Sequence, residues 1–103
     1  MTEKDQGADP QVIREIWEII CERAQHQDEK SYTSRLLRDA KGIDKILEKV
    51  GEESTEFILA VKNGVPARTT EEAADLLFHI LVALKASGVD LQEVISELER
   101  RRK

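Results

Sequence analysis

Glu52-Glu53-x-x-Glu56 and Glu72-x-x-Asp75 are two short acidic clusters set on two consecutive, mostly apolar segments with helical periodicity. Residues three or four apart share one face of a helix. Glu53 therefore stands beside Glu56, and Glu72 beside Asp75. If the two helices pack antiparallel, four carboxylates converge on one spot. Carboxylates that close repel unless a cation holds them together. Oxygen ligands in that number suit Mg²⁺, which takes a few carboxylates and completes its shell with water and substrate phosphates. The chemistry implied is metal-assisted work on phosphates.

The helix that carries the first cluster starts near Ile43 and stops at Asn63-Gly64, with Pro66 just beyond. Ile43, Leu47, Val50, Ser54, Phe57 and Val61 recur in steps of four and three, which predicts its packing seam. At about 100° per residue, Glu53 and Glu56 border that seam and Glu52 points more towards solvent. Glu53 and Glu56 are thus the better ligands, and Glu52 a peripheral or proton-accepting carboxylate. A solvated face laced with ion pairs among Lys45, Lys49 and the three glutamates is an equally open reading of this helix alone. Gly51 within it costs about 1 kcal/mol relative to Ala, which points to close approach of a ligand or helix.

The next helix shifts the balance. It is expected from Thr69 or Thr70 to Ser87-Gly88, apolar nearly all round and hence central. Glu72, Asp75 and His79 make its one polar line. Glu72 fits a capping box opened by Thr69. Asp75 has no such excuse, and a buried aspartate without a partner is expensive. His79 lies four residues beyond Asp75, where a simple hydrogen bond is the stronger reading over direct chemistry. A di-iron bundle would want Glu-x-x-His pairs; Arg23 precedes His26 and Leu76 precedes His79 at that spacing, so that class is disfavoured.

The elements that must position these groups follow from the rest of the chain. Asp9-Pro10 reads as N-cap and first helical position, opening a helix with Val12, Ile13, Ile16, Trp17, Ile19 and Ile20 on its stripe up to about Gln27. A short helix or turn around Ser34 to Arg38 ends near Gly42. Asp90 and Glu93 predict a capping box for a last helix, with Leu91, Val94, Ile95 and Leu98 on its buried face. Residues 1–9 read as a disordered tail and residues 10–103 as one helical domain. One small domain cannot cover the central helix on every side, so a homodimer is expected, with Leu76, Leu77, Ile80, Leu81 and Leu84 divided between core and interface.

Composition narrows the class. The 103 residues are 40% hydrophobic and 36% charged, with only 4% aromatic and two prolines, which favours an all-α protein with a thin core. The net charge of −5 argues against nucleic acid as a partner. Divalent cations on the carboxylates would reverse the local sign for an anionic substrate. The Arg100-Arg101-Arg102-Lys103 end suits a helix C-terminus. No apolar run reaches membrane-span length and no signal segment is evident. The lone Cys21 reads as core filler in a reducing cytoplasm.

The acidic pattern resembles that of the all-α nucleoside triphosphate pyrophosphohydrolase superfamily, which includes MazG-like enzymes and dimeric dUTPases. A closer resemblance is carried by Ser31-Tyr32-Thr33-Ser34-Arg35-Leu36-Leu37, Lys45-Ile46-Leu47-Glu48-Lys49-Val50-Gly51-Glu52-Glu53, Ala60-Val61-Lys62-Asn63 and Glu71-Glu72-Ala73-Ala74-Asp75-Leu76-Leu77-Phe78-His79. These segments are similar to the phosphoribosyl-ATP pyrophosphohydrolase family, over about Val12 to Arg101. That resemblance implies a dimeric four-to-five-helix bundle and Mg²⁺-dependent cleavage of phosphoribosyl-ATP to phosphoribosyl-AMP and pyrophosphate, the second step of histidine biosynthesis. It implies Glu53, Glu56, Glu72 and Asp75 as metal ligands and Glu52 and Glu53 as catalytic residues. Together with charge, it makes Lys49, Lys62, Arg35, Tyr32 and Thr33 candidate substrate contacts. Ser54 stands where alanine is usual, and Asp39-Ala40-Lys41-Gly42 is slightly extended. The rival readings are a house-cleaning nucleotide pyrophosphohydrolase of the same superfamily and a non-enzymatic dimeric helical adaptor.

Overall fold

The computed structural model describes residues 7–102, and within them five helices and no strand. They are α1 (Val12–Gln25), α2 (Tyr32–Leu37), α3 (Ile43–Asn63), α4 (Pro66–Ser87) and α5 (Leu91–Arg100). The chain is all-α, as its composition indicates. Most of the expected tail lies outside the described residues. Asp9 does not belong to a tail: its carboxylate accepts from the Gln11 amide at 2.9 Å and its carbonyl from the Val12 amide at 2.9 Å. Pro10 thus sits in the turn before α1, rather than at its first position.

α2 is fixed by its cap. Ser31 is extended, and its side chain accepts from the Ser34 amide. The fully buried Ser34 hydroxyl in turn takes the Asp28 amide and the Arg38 guanidinium. α5 carries the capping box expected at Asp90 and Glu93. Gly64 and Gly88 end α3 and α4 in the left-handed conformation that glycine tolerates best.

The join between α3 and α4 departs from the sequence reading. α4 begins at Pro66, with Val65 as an N-cap that makes no side-chain cap bond. Proline is pre-organised for a first helical position, since its fixed φ suits the helix and its missing N–H costs nothing there. Thr69 is then inside the helix, its amide bonded to the Val65 carbonyl at 3.1 Å. The capping box expected between Thr69 and Glu72 is therefore not formed. Glu72 is left with its charge to be explained.

The core is Trp17 and Ile20 of α1, Leu36 of α2, Ile46 of α3, Leu81 and Val82 of α4, and Leu91 of α5, with Cys21 packed at its edge. α4 packs on α1, α2 and α3, so it is the central helix. The buried line of α3 is Ile46, Glu53 and Ala60, rotated by ~80° from the predicted seam at ~100° per residue. Val50, Ser54 and Phe57 are half-buried, while Ile43, Leu47 and Val61 face outward in the single chain. Gly51 faces open space, with nothing near the place a Cβ would take, so no close approach of another helix of the chain explains it. Among the α4 leucines and isoleucine, Leu81 is buried, Leu76 and Leu84 are half-buried, and Leu77 and Ile80 are exposed. In α5, Leu91 is buried and Val94 and Ile95 half-buried, but Leu98 is 64% exposed. No helix of the described residues is long and apolar enough to cross a membrane.

Candidate active site

The tight turn after Gly64 brings α4 back along α3, and this hairpin assembles the acidic groups. Carboxylate oxygens of Glu53, Glu56 and Glu72 all lie within 4.8 Å of one another. Glu53 is 7% exposed and Glu72 only 4%, while Glu56 stands at the mouth. Glu53 Oε2 and Glu72 Oε1 are buried without a hydrogen-bond partner among the described residues. A buried carboxylate oxygen left unpaired forfeits the full cost of its desolvation. Burial first, then the charges of Glu56 and Asp75, push the Glu53 carboxyl above its ordinary value; His79 and Lys49 pull the other way. Two orphaned anionic oxygens beside a third carboxylate are a donor set that a small divalent cation fits.

Asp75 is placed differently from the other three. It is exposed, not buried as its apolar flanks implied, and it stays outside the trio while its charge still reaches Glu53 and Tyr32. The carboxylate is free because His79 does not bond to it. His79 Nδ1 donates instead to the Asp75 backbone carbonyl at 2.8 Å, the expected hydrogen bond displaced to the main chain. Its Nε2 is hydrogen-bonded to the Tyr32 hydroxyl at 2.9 Å. His79 is 6% exposed and sits edge-on to both Tyr32 and Phe78. Tyr32 is thereby tied across from α2 to α4 at the rim of the acidic cluster. Its hydroxyl pKa is raised by burial above all; Lys49 opposes this, while Glu53, Glu52 and Asp75 add to it. Tyr32→Phe should strand the buried His79 nitrogen and cost about 1–3 kcal/mol. Thermal denaturation of the metal-free protein checks this, and an unchanged stability would refute the tie.

The remaining candidates divide. Lys49 lies at the cluster, 3.3 Å from Glu52 and 4.0 Å from Glu53. Its pKa is raised, mainly by the hydrogen bond to Glu52, so it stays cationic. Glu52 is exposed, as its angle on the helix requires. Thr33 is buried within the first turn of α2. Arg35 turns away from the carboxylates: it donates to the Glu29 carbonyl at 2.9 Å and lines a cleft with Gln27, Asp28 and Arg38. Lys62 is exposed and stands half a turn round α3 from Glu53 (~180° at ~100° per residue). In the single chain neither reaches the cluster. Sequence reasoning missed Arg68, whose guanidinium meets Glu71 at 2.6 Å and Glu72 at 2.7 Å. The signal was an Arg and a Glu four apart, hidden by starting α4 too late.

Comparison with known proteins gives first the class and then the relatives. The model of the family described as Phosphoribosyl-ATP pyrophosphohydrolase matches residues 13–102. The chain belongs to this family of hydrolases. It is 74% identical over 101 residues to a protein of Methanoregula boonei named phosphoribosyl-ATP pyrophosphatase, covering 98% of this chain and 97% of that one. Proteins with the same name from Methanoculleus marisnigri and Methanosarcina barkeri are 61% and 49% identical, covering 89% and 91% of this chain and 95% and 90% of their own. An enzyme family leaves no room for the non-enzymatic adaptor.

Proposed function

We propose that the protein hydrolyses phosphoribosyl-ATP between its α and β phosphates, giving phosphoribosyl-AMP and pyrophosphate, in the second step of histidine biosynthesis. The observation that carries this reading is the pair of buried, unpartnered oxygens on Glu53 and Glu72 beside Glu56, in a chain of this family. Glu53, Glu56 and Glu72 would hold Mg²⁺, with Asp75 at the margin. When bound, Mg²⁺ supplies neutralisation of the triphosphate and a more acidic attacking water. Glu52, exposed and outside the trio, is the carboxylate available to take up that water's proton. Lys49 keeps its positive charge at the cluster and faces the phosphates. Tyr32, held by His79, forms the rim against which the substrate lies. Thr33, next to Tyr32 in α2, is buried in the protein rather than presented to the substrate.

The working form in this reading is a cytoplasmic homodimer. Leu77 and Ile80 of α4, Ile13 of α1 and Leu98 of α5 line an open apolar cleft of about 480 Å³. Ile43, Leu47, Ile58 and Val61 make a second open stripe on α3. The five helices of one chain leave both open, and a second copy would cover them. The half-buried, unpaired Cys21 supports a reducing compartment.

Pyrophosphate release from phosphoribosyl-ATP, measured with Mg²⁺ and again with excess EDTA, tests the proposal. Hydrolysis of phosphoribosyl-ATP well above that of dCTP and dUTP, lost with EDTA, is the expected result. Preferred cleavage of dCTP or dUTP would overturn the substrate in favour of a house-cleaning role.

A further inference from the structure

Arg68 occupies a position that α4 by itself disfavours. It lies in the first turn, where the positive end of the helix dipole repels a cation. Its partner Glu72 follows it by four residues, the weaker order for such a pair. The guanidinium nevertheless lies on Glu72 Oε2 at 2.7 Å while remaining 58% exposed itself. The other oxygen of the same carboxylate is buried with no partner. The ion pair is thus half-made: it engages one oxygen of a buried carboxylate and leaves Oε1 unpaired, in a side chain whose carboxylate lies within 4.8 Å of those of Glu53 and Glu56.

On its other side Arg68 lines a cleft of about 200 Å³ with Glu56, Leu59, Ala60, Asn63 and Val65. Arg68 is the only cation among these lining residues, and the cleft opens directly beside Glu56. A guanidinium matches both a carboxylate and a phosphate in the same planar fork. Moving from one to the other therefore needs only rotation of an exposed side chain.

We propose that Arg68 is an exchangeable counter-ion of the acidic cluster: it holds Glu72 when no divalent cation is bound, gives that carboxylate up to the cation, and then binds the phosphate chain in the adjoining cleft. This rests on the Mg²⁺ reading above and adds to it a substrate-binding residue. Because the cation and Arg68 compete for one carboxylate, removing Arg68 strengthens metal binding. Because the released guanidinium serves the phosphates, the same change weakens substrate binding. A merely structural arginine would weaken both or neither.

Calorimetric titration of the metal-free protein with Mg²⁺ alone, for the wild type and Arg68→Gln, tests the first half. Arg68→Gln should bind Mg²⁺ about two- to fivefold more tightly, the size expected for losing a competing, partly exposed ion pair. Its KM for phosphoribosyl-ATP should rise about tenfold with the loss of charge-assisted hydrogen bonds. Equal or weaker Mg²⁺ binding in the variant, with the wild type binding normally, overturns the exchange and leaves the metal site standing. An unchanged KM overturns the phosphate role. No Mg²⁺ binding by the wild type overturns the metal reading itself, and this proposal with it. Circular dichroism of the variant separates any of these from misfolding.

Discussion

With Mg²⁺ held as proposed, Glu53→Gln should abolish the rise in melting temperature expected from the ion and lower pyrophosphate release by about 10- to 100-fold, the range for a metal site that loses one of its supports. Glu53 has the most to lose, because it is buried, has an oxygen with no partner, and has its pKa raised by burial and by Glu56 and Asp75. The same facts predict the opposite sign for the metal-free protein. A carboxyl whose pKa is higher folded than unfolded costs stability when ionised, and the cost fades as pH falls through the folded value. Metal-free wild type should therefore gain from this group as pH drops from neutral towards the ordinary glutamate value of 4.5. Glu53→Gln should start more stable at neutral pH and show a flatter pH dependence. Melting curves in EDTA across that range measure both effects. Glu56→Gln should also weaken Mg²⁺ binding, whereas the exposed Glu52→Gln should mainly reduce turnover. Equal losses of Mg²⁺ affinity at all three positions would defeat this assignment of roles.

If the protein is the homodimer proposed above, Leu77→Asp should convert it to a monomer and remove most of the activity, by about tenfold or more. Leu77 is 53% exposed in the single chain and lines the apolar cleft with Ile13, Ile80 and Leu98. A charge placed there stays hydrated in the monomer but would be buried without a partner in the dimer, at a cost of several kcal/mol. The monomer itself should therefore still fold, since the core residues Leu81 and Val82 are untouched. Sedimentation at several concentrations, with circular dichroism to verify helicity, is the measurement. A fully active wild-type monomer independent of concentration would overturn the dimer.

Most of the architecture could be read from the chain because its signals are local. Ser31, Gly64, Gly88 and the Asp90 with Glu93 pair act through neighbouring backbone groups, so their meaning does not depend on packing. The acidic spacing likewise placed Glu53, Glu56 and Glu72 together once the two helices folded back. Where the reading went astray, a residue type had two local meanings. Pro66 reads equally as the flank of one helix ending and as the start of the next, which it is, and Thr69 offers a false cap. That shift of a few residues hid Arg68 and gave Glu72 the wrong partner. The seam on α3 went wrong for another reason. Periodicity reports which faces are apolar, not whether the cover comes from the same chain, so Ile43, Leu47 and Val61 were assigned to a core they do not enter. Asp75 was misjudged similarly, because apolar sequence neighbours on a helix point in different directions. The turning of Arg35 to the Glu29 carbonyl leaves no trace in residue spacing, and the four-residue step from Asp75 to His79 signals a bond without saying that its acceptor is the main chain.

The turn at Gly64 and Val65 also has a kinetic meaning. Glu53, Glu56, Glu72 and Arg68 all belong to one helical hairpin whose ends need little chain entropy to bring together. Contacts of such short sequence separation form early and fast, typically within microseconds to milliseconds in helical domains. The repulsion among the carboxylates is therefore met while the hairpin is forming, before docking of α1 can offset it. Arg68 lies on the same hairpin as Glu72, so a compensating charge is present from the first encounter. The order of residues along the chain thus lets the acidic hairpin carry its own counter-ion through folding.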